Sequence, residues 1–442
     1  MWRIMGSTAL AKLLIMGMGG LLAIITGRMI ISNFGVEAYA QYGLLATLPA
    51  LIPFADLGVG AVVINAISAA KDPAEDENVT ASVVSALRIL VISGLCIAAA
   101  GVLFFLTGTW PLILGGAVLG TAGEITATLC AVVFGLALPL GIAQRLLIGL
   151  KRTTSQTMSQ AVVAPFMLGM VALCVILVLP AGPYLALFSY LASVLVSLIC
   201  LAMVARSLPG MVPVYFRRIF MVRRYPGVPT MGLAWPMLLQ MIALPLAMQT
   251  DRILLSHLRG TEDVAEYNLA AQLFGMAIQV INAGGMVLWP HFSKARSDGV
   301  IHSPFKITVV FLGFGLAISA ALAVLAPWLA DFMSSGKITL SLGLLLAFVL
   351  LTTLQAAKYP MGMYMTDFNG LRFQVVPIFC MVPLSLGLSI YLIGIWGPAG
   401  TVIGSCIAVF ACQVIPNFFY VRRDLRRRVQ QASAAVAAPP AS

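Results

Sequence analysis

Gly35-Val-Glu-Ala-Tyr-Ala-Gln-Tyr-Gly-Leu-Leu-Ala-Thr-Leu48 and Gly260-Thr-Glu-Asp-Val-Ala-Glu-Tyr-Asn-Leu-Ala-Ala-Gln-Leu273 are two copies of one segment. Gly, Glu, Ala, Tyr, Leu, Ala and Leu recur at the same places. Upstream, Thr26, Arg28 and Ser32 match Thr250, Arg252 and Ser256, with a one-residue slip at Arg259. Polar residues match as well as apolar ones, which shared apolar composition alone does not produce. The offset is about half of the 442 residues, and each copy joins the first hydrophobic stretch of its half to the second. Six spans then separate the copies, so both fall on one side of a membrane. The repeat is parallel, related by an axis along the membrane normal, which is a signature of transporters.

Composition supports a membrane solvent. The chain is 61% hydrophobic and 9% charged, against about 25% charged in a soluble domain. In lipid the backbone must bond internally, as helices or as a closed barrel. Barrel strands alternate apolar and polar residues, whereas 89–106 and 340–354 run apolar without a break. The reading is an all-α polytopic membrane protein, with twelve transmembrane helices in two six-helix halves around a central cavity. The spans are expected near 9–31, 38–68, 81–107, 112–148, 156–179, 183–205, 229–255, 264–290, 305–332, 338–364, 373–395 and 399–420. The halves cover 1–205 and 229–420, joined by a basic cytoplasmic linker, 206–228. A basic and then disordered cytoplasmic tail, 421–442, ends the chain, with order expected to stop near Val429. Ala38-Tyr39-Ala40 imitates a signal-peptide cleavage site but lies too far from the N-terminal apolar run. The first span therefore reads as a retained helix. All seven cysteines lie in apolar spans without metal-ligand spacing, as packing residues do.

The net charge of +11 follows a topology rather than a nucleic-acid surface, and no nucleic-acid partner is expected. With both termini in the cytoplasm, 22 of the 26 Lys and Arg residues fall on that side, Arg88, Lys358 and the central loop among them. Arg28, Arg252, Arg259 and Lys337 fall on the other. That is the positive-inside bias. The expected location is the bacterial inner membrane, crossed many times.

Two six-helix halves resemble the MATE-like, or MOP, exporter superfamily. Within it, Phe54-Ala-Asp-Leu-Gly-Val-Gly60, Gln144-Arg-Leu-Leu-Ile-Gly-Leu-Lys-Arg152, Thr250-Asp-Arg-Ile-Leu-Leu-Ser256 and Leu288-Trp-Pro-His-Phe-Ser-Lys294 look like polysaccharide flippases of the Wzx type. The resemblance covers nearly the whole chain and rests on the order and spacing of motifs that are individually weak. It implies translocation of a polyprenyl-diphosphate-linked oligosaccharide from the cytoplasmic to the periplasmic leaflet, for O-antigen, capsule or exopolysaccharide synthesis. The implied partners are that lipid-linked glycan, membrane lipid, and the polymerase and glycosyltransferases of the same pathway.

Polar groups inside apolar spans are the candidate site. Pro49, Pro53, Asp56 and Gly60 share one helical face. They read as a broken helix whose carboxylate binds a coupling H⁺ or Na⁺, or as a structural cap on a kink. Glu124, with Thr121 and Thr128 on its face, is a second ion-coupling candidate or an interfacial carboxylate. Asn268, Gln272, Gln279 and Asn282 form a stripe around Gly275, with donors and acceptors suited to sugar hydroxyls or to interhelical bonds. Arg28 and Arg252 are two copies of one position, and Asp251 is a neighbour that neutralises only the second. They are the candidates for binding or guiding a diphosphate headgroup, facing each other across the cavity, or they are snorkelling anchors. The central loop, 206–226, holds five arginines among Tyr215, Phe216, Phe220 and Tyr225. It reads as a linker or as an interfacial helix.

A cation or multidrug exporter of the same superfamily is the close alternative. Asp56 and Glu124 permit it, while Arg28, Arg88 and Arg252 oppose it. A peptidoglycan-precursor flippase is another. A membrane-embedded enzyme would need a catalytic constellation. His257, His291 and His302 lie apart near loops, and no nucleotide or zinc motif is present. No cofactor is expected beyond a coupling H⁺ or Na⁺.

Overall fold

The computed structural model describes residues 2–51, 59–70, 72–116, 118, 120–219, 221, 249–286, 288, 292, 295–296 and 300–437. Every regular element among them is helical. Nine helices among the described residues are long and apolar enough to cross a membrane. The other expected spans are as follows. The second, 38–68, is interrupted by a turn at Ala46 and Thr47 between Val36–Leu45 and Leu48–Leu51, and Val59–Ala69 is helical; 52–58 lie outside the described residues. The eighth forms the unbroken helix Thr261–Met286, whose acidic and amide residues lower its hydropathy. Most of the seventh lies outside the described residues. The fourth begins later than 112: Trp110–Leu114 is a separate short helix, ended by Gly115 at φ 78°, and the spanning helix starts at Gly120.

The chain divides into two compact units. One comprises Met1–Pro245, Arg252–Asn268 and Leu329–Thr339, and the other Leu246–Asp251, Leu269–Trp328 and Leu340–Ser442.

In the first unit, helix Glu77–Leu106 starts at Asp76, whose carboxylate accepts from the Asn78 and Val79 amides. It packs on Gly120–Ala137 through Gly94 and Gly135. A Cβ on Gly94 would lie 2.1 Å from the Gly135 carbonyl oxygen, and one on Gly135 2.2 Å from that of Gly94. Small residues allow this approach, which suits helices that gain nothing hydrophobic by leaving lipid. A core of Val59, Val63, Val83, Leu87, Ile142, Leu146 and Val196 joins four helices to the linker segment. There the linker forms the short helix Met211–Arg218, with Tyr215 buried. Arg88 fixes that helix by donating to the carbonyls of Arg218 (3.2 Å) and Ile219 (2.6 Å), which are otherwise orphaned at a helix end. The Tyr215 hydroxyl has no hydrogen-bond partner among the described residues, and burial pushes its phenol above the usual value.

In the second unit, Gly397 at φ 56° turns helix Phe368–Trp396 back onto Pro398–Val409. Gly400 and Gly404 admit the backbone of Leu392 and Ser389. The last span then loosens into a π-helical turn, Phe410–Val414, before Ile415–Ala437. That helix continues past Val429, where composition predicted disorder. Lys358, counted above on the cytoplasmic side of the span 338–364, lies inside helix Leu342–Tyr364, and its amine donates to Gln413 Oε1 at 2.6 Å. At one end of this unit Arg296 pairs with Asp367 at 3.5 Å and donates to the Tyr364 carbonyl. The Tyr364 hydroxyl and Arg428 Nε both donate to Asp424, each at 2.7 Å.

Candidate functional site

Both repeat copies adopt the same local form, a helix that ends at a glycine followed by a second helix. Gly35 takes φ 94° between Trp2–Phe34 and Val36–Leu45, and Gly260 lies between Asp251–Leu258 and Thr261–Met286. The two copies meet within the first unit. Asn268 is 3% exposed, and its Nδ2 donates to the Ala40 carbonyl at 3.2 Å. Its Oδ1 accepts from Arg252 Nε at 2.6 Å. The Arg252 guanidinium also lies 5.7 Å from the Tyr267 ring centre.

Arg28 is placed differently. Its guanidinium sits 4.2 Å over the Phe332 ring, and the residue is half-buried. Its repeat mate is engaged by Asn268 and Tyr267, so the two arginines have distinct surroundings. A cavity of about 470 Å³ in the same unit is lined by Glu37, Glu262, Asp263, Glu266 and Lys337. Lys337 donates to the Ile31 carbonyl at 3.3 Å, and Arg259 pairs with Asp263 at 3.6 Å. The opening helix of the second copy makes further contacts here. The Gly116 amide donates to the Ser256 carbonyl at 3.0 Å, and the His257 ring nitrogens face the Ile253 and Leu112 carbonyls at 2.8 and 2.9 Å.

The remaining candidates are dispersed. Gln272 and Asn282 are half-buried and Gln279 is exposed, so the stripe changes environment along its helix. Glu124 is half-buried, Thr128 Oγ1 donates back to its carbonyl at 2.9 Å, and Trp110 Nε1 donates to Thr128 at 2.9 Å. Asp56 and His291 lie outside the described residues.

A buried carboxylate that the sequence reading took only as a neighbour of Arg252 has its own setting in the second unit. Asp251 is 3% exposed. Ser389 Oγ lies 3.4 Å from Oδ1, and Ser405 Oγ 3.4 Å from Oδ2. Ser389 also donates to the Thr401 carbonyl at 3.1 Å, and Ser385 and Ser405 hydroxyls lie 3.2 Å apart. Carboxylate, hydroxyl and carbonyl oxygens therefore converge from the Asp251 helix and from helices Phe368–Trp396 and Pro398–Val409. Among the described residues no three His, Cys, Asp or Glu side chains surround one point. A sequence signal did exist, because the repeat places Gly27 at the position equivalent to Asp251. A second missed cluster is Gln144, bonded to Ser197, Gln156 and Gln160. Those amides come from separate helices and form no linear motif.

The described chain can now be set beside known proteins. Residues 1–296 match the family described as "Polysaccharide biosynthesis protein". Among curated proteins no match is found. Several solved transporters share the fold. An inward-facing MATE-family multidrug resistance transporter of the MOP superfamily aligns with a TM-score of 0.67 at 16% identity, covering 96% of this chain and 99% of that one. The lipid II flippase MurJ, in an inward closed conformation, aligns at 0.69 and 12% identity, covering 94% and 89%. A MOP superfamily transporter from Pyrococcus furiosus, described as having a binding pocket of reverse polarity, aligns at 0.57 and 16% identity, covering 96% of each chain.

Proposed function

Because the chain belongs to the polysaccharide biosynthesis protein family and carries the fold of MOP superfamily transporters, we propose that it flips a polyprenyl-diphosphate-linked oligosaccharide across the bacterial inner membrane, from the cytoplasmic to the periplasmic leaflet. The observation that carries this reading is the family match on a transporter fold. It joins a glycan pathway to a protein shaped to move a solute or lipid across a bilayer. Both termini lie in the cytoplasm by the charge bias, which puts the two repeat copies at the periplasmic face.

A diphosphate bears about two negative charges, and an isolated ion in a low-dielectric path costs many kcal/mol. Arg28 and Arg252 supply planar, permanently charged forks for it. Gln272, Gln279 and Asn282 supply amides for sugar hydroxyls. Asp251, with Ser389 and Ser405, is the site at which a proton or Na⁺ would couple transport to an ion gradient. Asp56 and Glu124 remain candidates for the same role in the first half.

Deleting the gene tests the reading. A lipid-linked oligosaccharide should accumulate in the cytoplasmic leaflet while surface polysaccharide is lost. Accumulation of an amphipathic drug, with surface glycans intact, would instead identify an exporter of cations. Accumulation of the peptidoglycan precursor would identify the other flippase class.

A further inference from the structure

The repeat places Gly43 and Asn268 at equivalent positions, and the fold brings these two residues into direct contact. A Cβ built on Gly43 would lie 2.2 Å from Asn268 Nδ2, 2.4 Å from its Cγ and 2.8 Å from its Oδ1. The three nearest atoms all belong to that one side chain. Glycine at 43 is thus a socket, and Asn268 fills it.

Asn268 cannot swing aside at little cost. It is 3% exposed, its Nδ2 is bonded to the Ala40 carbonyl of the first copy, and its Oδ1 is bonded to Arg252 of the second. Moving the side chain breaks both bonds inside a dry contact, where an unmade hydrogen bond is expensive. Tyr42 and Tyr267, equivalent in the repeat, flank the socket unchanged in identity. The central pair has diverged into a small and a large residue.

We propose that Gly43 and Asn268 form a latch that holds the two repeat copies together in this conformation, and that Asn268 is the positioning residue that docks Arg252 while the latch is closed. The latch and the docking of Arg252 are one event, because a single amide serves both. A ligand anion that takes Arg252 must compete with Asn268 Oδ1 and so loosens the hold on Ala40. Only this last step rests on the flippase reading; the latch itself does not depend on the substrate.

Spin labels introduced as non-natural residues at Glu37 and Glu262, equivalent exposed positions in the two copies, report the separation by pulsed electron resonance on the purified full-length protein. Ligand-free wild type should show mainly the short distance. Asn268→Ala introduces no clash and should shift the short-to-long ratio severalfold toward long. Gly43→Ala should shift it by roughly tenfold, since both buried bonds are lost and the displaced side chain must also be accommodated. Gly43→Ala combined with Asn268→Ala should fall back to the smaller shift of Asn268→Ala alone, because truncation removes the three atoms nearest the new methyl. A general folding defect would not be repaired in this way.

The proposal is wrong if Asn268→Ala leaves the distribution unchanged, or if the double variant is no better than Gly43→Ala. Undecaprenyl diphosphate is then added to the labelled wild type and to Arg252→Gln. A shift toward long distances in wild type alone supports headgroup capture at Arg252. No shift, with the latch variants behaving as expected, leaves the latch standing and removes Arg252 from the headgroup site.

Discussion

Asp251→Asn separates an ion site from a buried structural carboxylate. The substitution keeps shape and both serine contacts but removes the charge. In the structure the carboxylate is 3% exposed, and the two serine hydroxyls reach it at 3.4 Å. That is beyond the usual 2.5–3.0 Å of a strong O–H···O bond. A charge within a membrane costs on the order of 2.5–3.5 kcal/mol on insertion scales, and a bound cation or proton offsets that cost. A cation at about a hundred times its Kd adds about 2.7 kcal/mol of stability, which for a chain of this length raises the Tm by a few degrees. The assay is thermal unfolding of purified protein with sodium exchanged for choline, and separately between neutral and mildly acid buffer. Wild type should gain a few degrees from sodium or from acid. Asp251→Asn should respond to neither and should be at least as stable as ion-free wild type. A variant that retains the wild-type response, or a wild type indifferent to both ions, would refute the assignment.

Gly94→Ala should destabilise the first unit by about 1–3 kcal/mol or more, the range of core overpacking. The added methyl meets the Gly135 backbone at 2.1 Å, and backbone cannot rotate away; an unchanged midpoint in detergent-induced unfolding would count against that helix contact. Tyr215→Phe should leave stability unchanged or raise it by about 1 kcal/mol, since the buried hydroxyl lacks a partner among the described residues. A clear loss of Tm would show that the hydroxyl is used. Arg28→Ala should abolish glycan export at normal protein level, and Arg28→Lys should retain part of it, because charge survives without the fork. Normal export by the alanine variant would make Arg28 an anchor stacked on Phe332.

The all-helical membrane fold was legible because hydrophobic length is a direct physical requirement of the bilayer. What the apolar runs could not show was where helices break inside them. The Gly115 turn and the turn at Ala46 and Thr47 depend on local backbone geometry that leaves hydropathy nearly unchanged. Lys358 shows the same limit. Its amine falls near the end of an apolar run that carries no hint of its partner, Gln413, which sits on a π-helical turn of another helix. Pairing across helices carries no linear signal, which is also why the Gln144 cluster escaped notice.

The candidate site was legible where the repeat could be read as a difference as well as a likeness. Side chains lying on an axis between two copies face their own equivalents, and two side chains of equal bulk cannot occupy one space. Close packing there favours divergence into a small and a large residue. Gly43 opposite Asn268 is such a pair, and the bonds of Asn268 to Ala40 and Arg252 give the asymmetry a consequence. Gly27 and Asp251, equivalent in the repeat, are a second divergence, now in charge. The carboxylate exists only in the second copy, and Ser389 and Ser405 gather around it. Arg28 and Arg252 are positions the two copies share. The diverged positions mark where one copy differs from the other: Asn268 bonds to Ala40 and Arg252, and Asp251, the residue before Arg252, lies beside Ser389 and Ser405.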